Sequence, residues 1–298
     1  MLAAIFQIAA FFFPWPVNVF LLRLSGGKIG RRAYIDPGVL ILARNIEIGD
    51  QARIKFGAMI HVRTFRLGKK SKIGYFTNVK GESDLLVGDA CIIGPKCMIN
   101  CSRQVILDYY SGVGPGSYLY THGSGMPVTE GYKAVFAPIH IKRKVWVSMR
   151  CVIGPGVTIN ENTNVMPGTV LVEDVPARRL VAGNPAKLST YPLLLAKQDR
   201  ESIDKLANRI LEEYCGWSNE YKGTDLKIED GRLKIRNGRN YFVISANEGG
   251  DIVLLTAPGE TRNGMYFNLS DLKTDSELHP EKSNLEDYMR LYYGLIFL

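Results

Sequence analysis

Few side chains in this chain are placed to move a proton, and His122 is set apart by its surroundings. The four histidines are His61, His122, His140 and His279. His122 lies in Tyr120-Thr121-His122-Gly123, where a regular pattern gives way to the longest irregular stretch in its first two-thirds. A hydroxyl is a poor nucleophile near neutral pH. An imidazole, with an unperturbed pKa of about 6.5, is the side chain best matched to accept its proton. The oxyanion so produced on an attacked carbonyl would need donors, most simply backbone N–H groups. The plainer reading is a loop histidine bonding a turn carbonyl. Glu130, in the same stretch, could orient His122 or a substrate. His61 follows Ile60 and His140 precedes Ile141, so both are expected to face outward, and His279 lies in a polar segment. Between Glu130 and Glu161 there is no acidic residue, whereas Lys133, Lys142, Arg143, Lys144 and Arg150 occur there. Such a stretch suits an anionic ligand, although each cation singly could be a solvated surface group.

What must position these groups is a repeat. Aliphatic residues recur six apart in sets of three, from Ile29, Ile35, Ile41 through Leu107, Val113, Leu119, and resume at Ile141, Val147, Ile153 and Ile159, Val165, Leu171. Four residues after each there is a small or thin side chain, with Asn45 and Arg103 as the exceptions. Six residues make a short strand and a corner, and three such faces close a triangular coil. The aliphatic points inward, and the small residue sits where the chain bends. Stacked coils pair as parallel strands, each touching mainly its neighbours. Pro-Gly at 37–38, 115–116, 155–156 and 167–168 and Gly-Asp at 49–50 and 88–89 supply the corners. Successive sets start 19, 19, 20, 20, 34 and 18 residues apart. The long interval expels about fifteen residues from the prism, beginning beside His122, and such excursions from a rigid scaffold are usually functional.

The expected fold is mainly β: a parallel β-helix of about seven triangular coils, with a short N-terminal helix and a C-terminal helix plus a small α/β domain. The boundaries read as 1–27 for an apolar cap or interfacial segment, 28–187 for the β-helix, 188–216 for an amphipathic helix stopped at Gly216, and 217–298 for the added domain. Leu226 and Ile228, Leu233 and Ile235, and the runs 241–245, 251–256 and 265–269 read as strands, Asp230-Gly231 as a hairpin turn, and 284–298 as an apolar helix. Residues 1–24 carry no charge before Arg23 and are broken by Pro14 and Pro16. A helix of thirteen residues spans about 20 Å, too short for a bilayer core of about 30 Å, and no basic region precedes it as in a secretory signal. The segment therefore caps the open strand edge of the first coil, adsorbs to a membrane surface, or does both.

The 298 residues are 46% hydrophobic and carry a net charge of +8. That size gives an ample core. The charge admits nucleic acid, a membrane surface or an anionic substrate, but no nucleic-acid motif is present. Five cysteines show no secreted-scaffold spacing, which points to the cytosol. Cys91, Cys97 and Cys151 occupy the small-residue position, so packing explains them.

The most specific string is the last: Val145-Trp146-Val147, then Val152-Ile153-Gly154-Pro155-Gly156-Val157-Thr158-Ile159, Asp174-Val175-Pro176 and Ala182-Gly183-Asn184-Pro185-Ala186-Lys187. Over roughly 28–187 the chain resembles the hexapeptide-repeat acyltransferases, and this ordered string resembles the closing coils of their sugar and xenobiotic O-acetyltransferase branch. The resemblance implies a left-handed β-helix, a homotrimer with active sites between subunits, and direct acetyl transfer from acetyl-CoA to a hydroxyl, less readily an amine, of a sugar or cell-envelope glycan. It implies His122 as general base and Asn100, one coil below, as a holder of the acceptor hydroxyl. Asn100 could equally be a corner residue bonding its own backbone. Trp146 would wall the acyl pocket or line the trimer interface. Lys142, Arg143, Lys144, Ser148, Arg150, Gly183 and Lys187 would bind the cofactor. Ser148-Met149 replaces the family's preferred Gly-Ala, and Gly123 replaces the acidic residue that often follows the histidine. No metal is expected: a zinc anhydrase on the same prism needs three convergent imidazoles. The competing readings are a non-catalytic solenoid scaffold and an N-acetyltransferase acting on a nucleotide-linked amino sugar. A cytoplasmic protein, peripheral to the inner membrane face through residues 1–24, completes the expectation.

Overall fold

The structure is a computed structural model, and it describes residues 2–123, 125–189, 199–224, 226–229, 232–237, 240–246, 251–255, 265–268, 273–274 and 285–289. His279, the Asp230-Gly231 turn and most of the apolar tail lie outside the described residues. The chain divides into two compact units, Met1–Leu195 and Ala196–Leu298.

The first unit is a triangular parallel β-helix. Its middle face shows the stacking most directly: Tyr34–Ile35, Arg53–Ile54, Lys72–Ile73, Ile92–Ile93, Gly112–Val113, Trp146–Val147, Asn164–Val165 and Leu180–Ala182 follow one another as parallel rungs. The six-residue aliphatics fill the prism, and from Ile54 to Val165 nearly all are completely buried. Each buried side chain of this size contributes about 1.5–3 kcal/mol relative to exposure. The small residues also point inward: Ala52, Ala58, Thr77, Cys91, Ser117 and Cys151 are all closed to solvent. The ladder runs one coil beyond the seven read from the repeat, because Val175 pairs with Ile159 and Val181 with Val165. This last coil is two residues shorter than the one before it, so it escapes a strict six-residue count.

One corner is built the same way on every coil. Arg32, Gln51, Lys70, Ala90, Tyr110, Lys144, Asn162 and Arg178 all hold the left-handed conformation, with φ between 54° and 59°. That conformation is costly for residues with a Cβ. It is held by a bond to the coil below, as in Lys70 N–H to the Asp50 carbonyl at 2.9 Å and Tyr110 N–H to the Asp89 carbonyl at 3.0 Å. The Gly-Asp corners add a second bond: the Asp50 and Asp89 carboxylates accept from the N–H groups of Arg31 and Lys69, each at 2.7 Å. At Gly68 a Cβ would lie 2.3 Å from the Gly88 carbonyl carbon, so only glycine permits this stacking.

The first coil's open edge is covered by α1 (Leu2–Phe12) and α2 (Val17–Leu24). Their polar side chains take the place of a missing strand. Gln7 Nε2 donates to the Ala43 carbonyl at 2.9 Å and its Oε1 accepts from Ala43 N–H at 3.3 Å. Asn18 Nδ2 donates to the Ile35 carbonyl at 2.8 Å and Trp15 Nε1 to the Ala33 carbonyl at 3.2 Å. Leu22 and Val19 are buried below, while Leu2, Ile5, Ile8, Phe12 and Phe20 remain exposed. Among the described residues no helix is long and apolar enough to cross a membrane.

The second unit contains α3 (Arg200–Lys222) and an antiparallel six-stranded meander whose first strand is Lys227–Glu229 and last Lys273–Thr274. Asp199 caps the helix, accepting from Ser202 N–H at 2.7 Å. The stop expected at Gly216 does not occur. Tyr214 and Ser218 are buried on either side of it, and burial outweighs the roughly 1 kcal/mol cost of a mid-helix glycine. The helix ends instead at Gly223, which is left-handed with φ of 64°.

Candidate active site

The chain leaves the prism at His122. Tyr118–Tyr120 pairs with Met98–Asn100 on the coil below. His122–Gly123 then pairs antiparallel with Val135–Phe136, placing His122 opposite Phe136, and Ala137 N–H returns to the Thr121 carbonyl at 3.0 Å. The excursion is therefore a two-stranded arm with His122 at its root, as the 34-residue interval suggests. Its outer part holds a short 3₁₀ turn, Val128–Glu130, whose residues are exposed.

The imidazole is held in one orientation. Its Nδ1 lies 2.9 Å from Asn100 Oδ1 and 3.5 Å from Ser102 Oγ. The ring stacks on Phe136 at 5.8 Å and 20°, and meets the edge of Tyr120 at 6.4 Å. Asn100, 7% exposed, uses the same Oδ1 to accept from Ser102 N–H and Thr121 Oγ1, each at 3.0 Å. A backbone N–H can only donate, which identifies that Asn100 atom as the oxygen. An amide oxygen can only accept, so His122 Nδ1 carries the hydrogen and Nε2 keeps its lone pair. Thr121, fully buried, fixes the turn by accepting from Arg103 N–H at 2.9 Å. The Arg103 guanidinium lies 5.3 Å over the Phe136 ring.

A groove of about 1160 Å³ begins at this cluster, with Asn100, Ser102, Arg103 and Phe136 in its wall, and runs across lower coils to Ala3 and Ile8 of α1. Arg63 lines it and is locked by two bonds to Asp84, at 2.9 and 2.6 Å. Those bonds hold the Asp84 carboxyl below the usual carboxylate range, against its burial, which pushes it up.

The other site residues expected from the sequence fall elsewhere within one chain. Trp146 stands on the middle face over Gly112, where a Cβ would meet its ring at 2.3 Å, and not among the neighbours of His122. Glu130 is on the exposed arm. The basic residues divide between two corners. Lys142, Arg143 and Lys144 occupy the left-handed corner, with Lys142 Nζ donating to Asn160 Oδ1 at 2.8 Å. Ser148 and Arg150 follow the middle face, where the Met149 carbonyl accepts from Gly168 N–H and the Gly183 carbonyl from Val170 N–H, each at 3.0 Å. Lys187 pairs with Ala182 at the end of the ladder. His61 is exposed, as expected. His140 is not free: its Nε2 meets Asp108 Oδ2 at 2.8 Å. Ser102 and Phe136, which complete the imidazole's surroundings, are not apparent from the repeat, although Ser102 precedes His122 by one coil of twenty residues. Burial raises the thiols of Cys91, Cys97 and Cys151, and pushes that of Cys101 up to about 12. Among the described residues no cluster of His, Cys, Asp and Glu is arranged to hold a metal ion.

The triangular parallel coil is a β-solenoid, and comparison with known proteins finds relatives in sequence among acetyltransferases. No family model matches the chain. A provisionally named colanic acid biosynthesis acetyltransferase of Escherichia coli, WcaF, is 26% identical over 185 residues, covering 60% of this chain and 80% of that protein. A provisionally named acetyltransferase of Saccharomyces cerevisiae is 27% identical over 108 residues, covering 36% of this chain. The chain spans only 55% of that relative's length. A hexapeptide-repeat acetyltransferase of Vibrio cholerae, solved with acetyl-CoA, is 19% identical with a TM-score of 0.37, covering 64% of this chain and 85% of that one. The polysialic-acid-specific acetyltransferase NeuO is 18% identical with a TM-score of 0.45, covering 64% and 91%. In its repeat and its coil, and by its relatives in sequence, the chain is similar to the hexapeptide-repeat acetyltransferases.

Proposed function

We propose that the protein transfers an acetyl group from acetyl-CoA to a hydroxyl of a sugar or glycan, with His122 as the general base. The observation that carries this reading is the 2.9 Å contact between Nδ1 and Asn100 Oδ1, which leaves Nε2 as a proton acceptor at the root of the arm. The acceptor hydroxyl gives its proton to Nε2 while its oxygen attacks the thioester carbonyl. The resulting imidazolium returns that proton to the departing thiolate, so the enzyme ends as it began. Asn100 positions the base, because its Oδ1 stabilises the Nδ1–H that becomes more acidic as the imidazolium forms. Phe136 shields one ring face from water.

Coenzyme A supplies the acetyl thioester and several phosphate charges. Lys142, Arg143 and Lys144 at one corner, with Arg150 and Lys187 farther along, are suited to those charges, and the backbone groups near Ser148 and Gly183 to its amide arm. The relatives' names favour this chemistry over a scaffold. WcaF, named for colanic acid biosynthesis, favours a glycan acceptor. Three chains around an axis would bring the arm of one over the later coils of the next, uniting His122 with cofactor-binding corners that one chain keeps apart. The exposed apolar side chains of α1 and α2, with no acidic residue before Asp36 and with Lys28, Arg31 and Arg32 nearby, suit peripheral contact with an anionic membrane on the cytoplasmic side.

Labelled acetyl-CoA incubated with the pure protein and a panel of cell-envelope glycan intermediates tests the reading. Base-labile label on a glycan is expected. Label resisting base points to an amine acceptor. Acetyl-CoA that neither binds nor turns over sinks the transferase reading. Light scattering should give a trimer rather than a 33.2 kDa monomer.

A further inference from the structure

We infer that the groove running from Asn100 and Phe136, the neighbours of His122, toward α1 is a binding site for an extended acidic oligosaccharide. This deepens the transferase reading and rests on it for the reacting end of the chain. The groove's length follows from register. Leu42 stands opposite His61, His61 opposite Lys80, Lys80 opposite Asn100, and Asn100 opposite Tyr120. Leu42, His61, Lys80 and Asn100 line the groove, so three strand spacings of about 4.8 Å lay its wall along a line of about 14 Å. A line of that length accommodates several linked sugar rings, whereas one hydroxyl-bearing monosaccharide occupies only the end beside His122.

The groove's charge follows from the same register. Arg44 lies between Ala43 and Asn45, whose partners are Val62 and Thr64, so Arg44 and Arg63 stand side by side on adjacent coils. The cations in the groove wall are Arg44, Arg63, Lys80 and Arg103, and its carboxylate is Glu82. Asp84 neutralises Arg63. Arg44 and Lys80 are exposed, and the wall keeps a positive excess along its length. A neutral glycan gains nothing from cations spaced at coil intervals. A chain bearing a carboxylate on its sugars meets them in sequence, and charge-assisted bonds to guanidinium are the strong ones. Near His122, the exposed Phe136 ring offers an apolar face suited to the flat side of a sugar.

The test uses the full-length protein and fluorescently labelled hexagalacturonate, read by anisotropy, with digalacturonate, maltohexaose and a single-stranded oligonucleotide as competitors. The hexamer should bind and should weaken several-fold as salt rises from low to physiological strength. Digalacturonate and maltohexaose should compete at least about tenfold more weakly. Arg44→Ala with Lys80→Ala should weaken hexamer binding about tenfold with an unchanged melting curve, and His122→Ala should leave it within about twofold. The proposal is overturned if maltohexaose competes as well as the hexamer, if the dimer suffices, if the oligonucleotide binds as tightly, or if salt has no effect. Failure of acetyl transfer with intact hexamer binding would fault the transferase reading and leave the groove standing.

Discussion

Replacing Asn100 by Ala tests how the base is held. In the resting enzyme the bond from neutral His122 Nδ1–H to Asn100 Oδ1, 2.9 Å long, is a neutral pair worth about 0.5–1.5 kcal/mol net. When Nε2 takes the acceptor's proton the ring becomes cationic, and a bond from a charged donor is worth about 1.5–3 kcal/mol. The difference, about 1–1.5 kcal/mol, is stabilisation that exists only after proton transfer. Since about 1.36 kcal/mol is tenfold in rate, Asn100→Ala should lower kcat about five- to twelvefold. The Michaelis constant for acetyl-CoA should move less than about twofold. Ser102 Oγ, 3.5 Å from Nδ1, is too distant to replace the amide fully. Asn100→Asp keeps the acceptor and adds a negative charge, which favours the imidazolium. Asn100→Asp should therefore retain more of kcat than Asn100→Ala. Steady-state kinetics from pH 5 to 9 on wild type and both variants would decide. An Asn100→Ala enzyme with unchanged kcat and a raised acceptor Michaelis constant would refute the reasoning, since the amide would then hold substrate rather than the base.

His122→Ala should lower turnover by about 10²–10⁴-fold with acetyl-CoA affinity nearly intact, by calorimetry, whereas changing Lys142, Arg143 and Lys144 together to Ala should raise the cofactor's Michaelis constant more than it lowers kcat. Asp84 has a folded pKa held below its unfolded value by Arg63, so its contribution is present above about pH 3.9 and is lost as pH falls through the folded value. Asp84→Asn should therefore lower the melting temperature at pH 7, and the gap to wild type should close on acidification below pH 4; a gap that is constant with pH would contradict this. Deleting residues 1–24 removes the bonds from Gln7, Trp15 and Asn18 to the first coil, so the truncated protein should melt earlier or aggregate, and flotation with anionic liposomes should drop with it if the same helices touch the membrane.

What the sequence displays and what it conceals share one cause. A solenoid core repeats because every coil must fill the same prism. The inward aliphatics therefore announce register over the whole coil, down to the place where the arm leaves at His122. The eighth coil is concealed because it reaches Val175 and Val181 sixteen residues after Ile159 and Val165. Phe136 is concealed for another reason: it meets His122 through an antiparallel ribbon, and pairing across an excursion has no period. Asp108 and His140 flank the same interval, one just after Leu107 and one just before Ile141, so their pairing requires counting across the gap. Outward residues obey the coil period as strictly as inward ones. Arg44 and Arg63 are nineteen apart, as are His61 and Lys80, and Lys80 and Asn100 are twenty apart. No hydrophobic alternation marks these positions, because the outer surface tolerates any soluble side chain. A ligand groove on a solenoid is thus written in the register of the core but in residue types the core does not constrain. Once inward register is known, aligning the outward positions coil by coil brings Arg44 and Arg63 into one column and sets Lys80 in the neighbouring column of His61.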